Sequence, residues 1–396
     1  MFVGIVGPPC SGKHEVMNLL ASIYGFTRLY LKKSPANTTH TLEGTLNQLR
    51  QKLQHQEEQS KEFDTIEAML NYVTVNWMDH FVTCDVNSVP GIAVLRKRPF
   101  FLVLSVEAPM MIRYRRCVAR CQEHELEEPT LEQFVEMTDD SLYTTSTAVS
   151  NTTSIPLSAP STPSTTAVNG PYQSSTLSAI GSPSLLYISP SPSPSPQIVS
   201  DSPAYKLLSL SDLALLNPFS DLDSLLSSLR ALDITNPDLL RPSWDSYFMY
   251  LANLAARRSN CMKRRVGCVL VRDRRVIATG YNGTPKNLEN CNNGGCTRCN
   301  RGTPCGKGLD RCLCMHAEEN ALLEAGRERI GNGSTIYCNT CPCLGCAIKI
   351  VQVGVSVVVY SESYGMDDLT ADVFRKAGVE LRQHTTPVIK LDQSNP

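Results

Sequence analysis

The 396-residue chain contains no stretch of the ~18 consecutive apolar residues that a bilayer-spanning helix needs. Its strongest apolar run, Phe100 to Val106, has the length of a strand, so a soluble protein is expected. It also lacks an excess of either charge: 37 Lys+Arg against 38 Asp+Glu give −1 at pH 7, too little to draw in nucleic acid or a membrane surface over long range. No basic run interleaved with aromatics is present to serve RNA. Neither a membrane nor a nucleic acid is therefore expected as a partner. The opening residues MFVGIVGPPCSGK lack the basic segment and small-residue cleavage site of a secretory signal. They read as a buried first strand, and the expected location is the cytoplasm, with the nucleus left open. In such a chain the Asn-x-Ser/Thr triplets at Asn37, Asn151 and Asn332 are chance, and cysteines bind metal or stay reduced.

What is present divides the chain. From Ser141 to about Pro203 it is dominated by Ser, Thr and Pro, a composition that cannot bury enough apolar area to offset its ordering entropy. The expected organisation is a first domain over 1–138, a disordered linker over 139–204, an amphipathic helical connector over 205–242, a second domain over 243–385 and a tail over 386–396. Residues 1–138 alternate strand and helix, implying an α/β domain with a parallel sheet. The second domain reads as helix, paired strands, a cysteine-rich loop, then alternating helix and strand, an αβα three-layer arrangement.

The strongest chemical signal is His316-Ala317-Glu318 followed by Pro342-Cys343-Leu344-Gly345-Cys346. Cys343 and Cys346 are three apart at a helix start, so both sulfurs project from one face, and the helix N-terminus favours their thiolates. His316 opens the preceding helix and can supply a third ligand if the two N-termini meet. Three protein ligands leave one tetrahedral position of Zn²⁺ open, the arrangement of a catalytic site. Glu318, two residues beyond His316, is expected to point past the metal and to shuttle protons. The competing readings are a structural zinc knuckle built from any four of these ligands, and buried cysteines with an unrelated surface Glu318.

This H-x-E…P-C-x-x-C pattern is the signature of zinc-dependent nucleobase deaminases. Together with Val266-Gly267-Cys268-Val269-Leu270-Val271, Gly280-Tyr281-Asn282-Gly283-Thr284-Pro285, Cys314-Met315-His316-Ala317-Glu318-Glu319-Asn320-Ala321 and Cys341-Pro342-Cys343, the region Trp244 to Gln383 resembles the deoxycytidylate (dCMP) deaminase family, within the cytidine deaminase-like superfamily. The resemblance implies hydrolysis of dCMP to dUMP and ammonia, supplying thymidylate synthesis. It implies His316, Cys343 and Cys346 as zinc ligands and Glu318 as proton donor. It also implies control by dCTP and dTTP with Mg²⁺, and a homo-oligomer, usually a hexamer. Alternatives are a deaminase of another cytosine or adenine nucleoside or related amine, and a bifunctional kinase-deaminase.

Asn282 matches a sugar-contacting position in related deaminases, since an amide can donate and accept together; a ligand-free turn Asn is its alternative. Tyr364 is a candidate to stack on the base or reach the phosphate, or it is a loop tyrosine. Lys263, Arg264 and Arg265 either hold a phosphate or form a solvated face. Cys291, Cys296, Cys299, Cys305, Cys312 and Cys314 share one glycine-rich loop. Cys296-x-x-Cys299 has zinc-knuckle spacing, and a second, structural Zn²⁺ completed by Cys312 or Cys314 competes with reduced, packed thiols.

At the other end, Gly7-Pro8-Pro9-Cys10-Ser11-Gly12-Lys13 has P-loop spacing between a strand and a helix, where backbone N–H groups cradle phosphate and Lys13 reaches the terminal groups. His14 stands where Ser or Thr would bind Mg²⁺, which argues against phosphoryl transfer. With Arg113, Arg115 and Arg116 downstream, residues 1–138 resemble P-loop nucleotide kinases and are expected to be an accessory, nucleotide-sensing or inactive module.

Overall fold

The computed structural model describes residues 1–32, 60–143, 203–304, 306–363 and 367–387. Six strands, β1 (Phe2–Val6), β2 (Thr27–Leu31), β3 (Ser60–Phe63), β4 (Phe81–Thr83), β5 (Phe101–Glu107) and β6 (Leu213–Leu216), form one sheet in the order β3-β2-β4-β1-β5-β6. All neighbours are parallel. β1 is buried along its whole length, as a central strand with both faces covered must be. Covering helices include α1 (Lys13–Tyr24), α2 (Ile66–Val75), α3 (Val89–Leu95), α4 (Met110–Glu123) and α5 (Leu131–Tyr143).

The segment expected as a connector over 205–242 differs. After α6 (Ala204–Ser209) it supplies β6, the sixth strand, and then α7 (Leu222–Leu232). Leu213, Leu215, Leu225 and Leu229 are buried in the same core as Val3, Ile5 and Leu104. Asp212 fixes the register: Oδ2 accepts from the Val103 backbone N at 2.7 Å and Oδ1 accepts from Arg96 Nη2 at 2.9 Å. Leu-Ala-Leu-Leu is too short for period-2 burial to stand out beside neighbouring leucines at helical spacing. The first unit therefore includes residues on both sides of the Ser/Thr/Pro-rich stretch. α5 also runs through Tyr143, beyond the expected boundary at 138. The rest of the expected linker, 144–202, and the tail from 388 lie outside the described residues.

The second sheet is mixed. β7 (Gly267–Arg272), β8 (Arg275–Tyr281), β9 (Thr335–Thr340), β10 (Val357–Glu362) and β11 (Glu380–Gln383) stand in the order β11-β10-β9-β7-β8. β7 is antiparallel to both β8 and β9, whereas β9, β10 and β11 are parallel. Side chains alternate between the faces. Val269, Val271 and Tyr337 pack with Phe248, Met249 and Ala252 of α8 (Trp244–Ala256). Cys268, Leu270, Ile336 and Cys338 pack beneath α9 (Ala317–Ala325), α10 (Leu344–Gln352) and α11 (Asp367–Lys376). This is the expected αβα order of layers. No helix among the described residues is long and apolar enough to cross a membrane.

Asp245, in the first turn of α8, ties that layer to the sheet. It accepts from Tyr337 Oη at 2.8 Å and pairs with Arg382. The Arg382 hydrogen bond, first among the causes, holds its carboxyl below the usual range. A depressed folded pKa stabilises the protein above the unfolded value of ~4 and is lost as pH falls through the folded value. Asp245→Asn should therefore cost about 1 kcal/mol near pH 7, a figure already reduced for the solvent exposure of Arg382. Urea unfolding of variant and parent should converge below about pH 4.

Candidate metal and catalytic site

β8 and β9 are both antiparallel to β7 and so run the same way. The segments leaving their C-terminal ends emerge at one edge of the sheet. One leads to His316 at the N-cap of α9, the other to Cys343 at the N-cap of α10. One ion pair spans these two helices, and a side-chain bond fastens the first of them to the sheet. Glu319 accepts from the His316 backbone N at 3.4 Å and forms an ion pair with Lys349 of α10. Asn320 Nδ2 donates to Tyr281 O at 3.0 Å, fastening α9 to the end of β8.

His316 Nδ1 lies 3.4 Å from Cys343 Sγ and 3.3 Å from Cys346 Sγ. Tetrahedral zinc with Zn–S about 2.3 Å and Zn–N about 2.0 Å separates such atoms by about 3.5 Å. The three donors are thus already at the spacing of one coordination sphere, and their chemistry fits Zn²⁺. Two of them, Cys343 and His316, also form an ion pair. Cys343 is held down at about 3, first by the Cys346 hydrogen bond and then by His316. His316 is raised to about 9, chiefly by its hydrogen bond with Cys343. The Cys346 thiol is pushed up, first by its hydrogen bond with Cys343, so the three donors together carry no net charge before a ligand arrives.

Glu318 is 3% exposed, and burial is the first cause pushing its carboxyl up; it also shares a hydrogen bond with Cys346. It therefore sits beside the donor set and is not one of the three. Gly280 makes this approach feasible. A Cβ there would stand 2.1 Å from Ala317 O and 2.5 Å from Ala321 N, so only glycine lets the first turn of α9 lie this close to β8.

The other expected residues divide. Asn282 is buried, and its Oδ1 accepts from Ser259 Oγ (2.7 Å) and Val266 N (2.8 Å), while Nδ2 donates to Arg264 O (2.8 Å). The amide pins the turn to the segment before β7, using one of its two N–H groups. Arg264 pairs with Glu362 at 2.9 Å and Lys263 donates to Thr303 O, so both are engaged within the chain. Tyr364 and Cys305 lie outside the described residues. The sequence reading passed over Thr284 and Thr340, whose Oγ1 atoms are buried with no hydrogen-bond partner among the described residues. They flank the Gly283 turn and the Cys341-Pro342-Cys343 approach. It also passed over Glu319, because His is not the Ser, Thr or Asp that marks a capping box.

The loop at Gly7 to Lys13 lies between β1 and α1, as expected. Lys13 Nζ donates to Gly7 O at 3.4 Å. A Cβ on Gly7 would meet Val106 O at 2.3 Å, and Gly12, at φ 93°, would meet Asn217 Nδ2 at 2.3 Å. Arg116 Nη1 donates to Ser11 O at 3.1 Å, and Arg113 Nη1 to Pro9 O at 3.3 Å. These arginines clamp the carbonyl side of the loop. The cavity beside it measures about 10 Å³, room for about one water.

A zinc-type donor triad with a buried carboxylate, at one edge of an αβα mixed sheet, defines a zinc-dependent deaminase of the cytidine deaminase-like class. A family profile described as the cytidine and deoxycytidylate deaminase zinc-binding region matches residues 242–362. The deoxycytidylate deaminase of Schizosaccharomyces pombe is 39% identical over 385 residues, covering 97% of this chain and 98% of that protein. That of Saccharomyces cerevisiae is 36% identical over 389 residues, 97% and 96% of the two chains. The deoxycytidylate deaminase of Mycobacterium phage D29 is 43% identical over 125 residues, which is 30% of this chain and 95% of the phage protein. The chain belongs to the deoxycytidylate deaminase family.

Gly280→Ala tests the close approach of α9. Displacing its first turn should lower kcat/KM by roughly ten- to a hundredfold, because a shift near 1 Å is enough for such a loss. The circular dichroism spectrum should remain that of the parent, and parental turnover would show that α9 tolerates the methyl group.

Proposed function

We infer that this chain catalyses the hydrolytic deamination of dCMP to dUMP and ammonia. The observation that carries the reading is the coincidence of His316 Nδ1 at 3.3–3.4 Å from Cys343 and Cys346 with the buried Glu318 against Cys346, in a chain of this family. A zinc ion held by His316, Cys343 and Cys346 would supply a Lewis acid that ionises water near neutral pH. Glu318 takes the proton that the attacking water loses and hands it to the ring nitrogen next to the reacting carbon. It then carries the water's second proton to the departing amine, the C–N bond breaks, and ammonia and dUMP leave. Burial suits this work, because a carboxyl that is costly to ionise both accepts and returns protons near neutral pH. Asn282, through its remaining N–H, and the hydroxyls of Thr284 and Thr340 are candidates to hold the nucleotide. A homo-oligomeric, hexameric assembly and control by dCTP and dTTP with Mg²⁺ rest on family resemblance.

Glu318→Gln keeps the shape and removes the proton carrier. Ammonia release from dCMP should fall about 10²- to 10⁴-fold, with zinc content unchanged by mass spectrometry. Turnover near the parental rate would exclude Glu318 as the shuttle. CMP, deoxycytidine and cytidine, assayed alongside, would reveal another preferred substrate.

For residues 1–143 and 203–240 we propose an accessory role, with Gly7, Gly12 and Lys13 as a phosphate-binding loop that does no phosphoryl transfer. The phage relative carries its name on the second domain's length alone, and His14 replaces the magnesium-binding hydroxyl. The full chain with ATP and dCMP should yield no dCDP. Formation of dCDP, abolished by Lys13→Ala, would establish the kinase-deaminase alternative.

A further inference from the structure

Six more cysteine sulfurs gather outside the site above, contributed by the segment before β7 and by the loop between β8 and α9. They form two overlapping groups of four: Cys261, Cys291, Cys299 and Cys314, and Cys296, Cys299, Cys312 and Cys314. Within each group all Sγ atoms lie within 4.8 Å of one another. Cys299 Sγ stands 3.9 Å from Cys261, 3.8 Å from Cys312 and 3.9 Å from Cys314, and Cys296 stands 4.0 Å from Cys312. Thiolates on one tetrahedral zinc, with Zn–S about 2.3 Å, lie about 3.8 Å apart. A disulfide would bring them to about 2 Å; all six are free thiols.

A single ion does not use this arrangement up. Placed in the first group, it leaves Cys296 and Cys312 at ligand spacing from two of its own sulfurs; placed in the second, it leaves Cys261 and Cys291. Two tetrahedra joined along the edge from Cys299 to Cys314 employ all six. Two Zn²⁺ and six thiolates carry a net charge of −2, and the surroundings supply matching donors. The Met262 backbone N lies 3.4 Å from Cys291 Sγ, and Arg298 Nη1 lies 3.6 Å from Cys312 Sγ. The backbone N–H groups of Lys263 and Arg264 point at Cys261, and that of Leu313 points at Cys296. Such N–H···S contacts orient and stabilise metal thiolates.

We propose that these six cysteines hold a binuclear zinc cluster, with Cys299 and Cys314 bridging, Cys261 and Cys291 completing one ion, and Cys296 and Cys312 the other. Its assembly makes all six side chains thiolates as two Zn²⁺ enter, releasing the protons that those still present as thiols carry. The cluster fastens the rim of the deaminase site. Cys261 follows Ser259 and Asn260, which hold Asn282 and Thr284, and Cys314 precedes His316 by two residues through Met315, bridged to Gly283.

The test counts zinc in the full chain, purified under reducing conditions without chelator, by native mass spectrometry. Three ions per chain are expected, and two or fewer would overturn the proposal. His316→Ala with Cys343→Ala removes the deaminase ion, and the zinc absorption edge of that variant should then show sulfur-only coordination and a metal–metal vector near roughly 3 Å. A lone zinc without that vector would make the site mononuclear and the proposal wrong. Adding Cys296→Ser and Cys312→Ser should remove one ion and the vector. If these variants do not fold, the count on the parent chain still decides. Three zinc ions with no turnover of dCMP would strike the functional reading and leave the cluster intact.

Discussion

Two helix N-termini meet at the C-terminal edge of the mixed sheet, and the chemistry of the second domain depends on that meeting. His316 and Cys343 are each the N-cap of their helix, so their side chains are fixed by where each helix begins and not by a mobile loop. The Glu319–Lys349 ion pair holds the two starts together, and Gly280 lets one of them sink against β8. The helix terminus favours thiolate at Cys343, while the Cys346 thiol beside it is pushed up, and the same burial that completes the ligand set raises the carboxyl of Glu318. Ligand geometry and proton carrier therefore come from one packing arrangement.

The zinc ligands and the layers around them were legible because each rests on a local pattern. Pro-Cys-x-x-Cys at a helix start and His-x-Glu at another place side chains by helical spacing alone, and the paired strands expected before the cysteine-rich loop are β7 and β8. What the sequence hid was long-range. β6 pairs with β5 across more than a hundred residues, and its four residues sit among leucines whose spacing suits helices. The partners of Asn282 come from the segment before β7, so its pinning role has no local signature. The six-sulfur arrangement needs Cys261, thirty residues upstream of the loop, and only the fold brings it in.

In the first unit, two arginines that read as phosphate-binding equipment also serve the chain itself. Arg113 and Arg116 are partly or fully withdrawn from solvent, and burial lowers the pKa of both guanidiniums. They take up loop carbonyls that would otherwise lack partners, the usual requirement for buried polar groups. Asn217, from the segment after β6, joins them by donating to Ser11 O at 2.9 Å. The two fungal relatives align with this half as well as with the second domain, so the two units occur together in these proteins.

The pairing of β5 with β6 builds the first unit from chain on both sides of residues 144–202, with α5 before them and α6 after them. A protease that cut anywhere between would produce two fragments, neither of which owns the whole sheet. They would stay associated through the Leu104–Glu107 to Leu213–Leu216 ladder and the leucines behind it. Gel filtration would then show an intact particle where a denaturing gel shows two bands, because the second domain, still covalently joined to α6, β6 and α7, would hold residues 1–143 through these contacts alone.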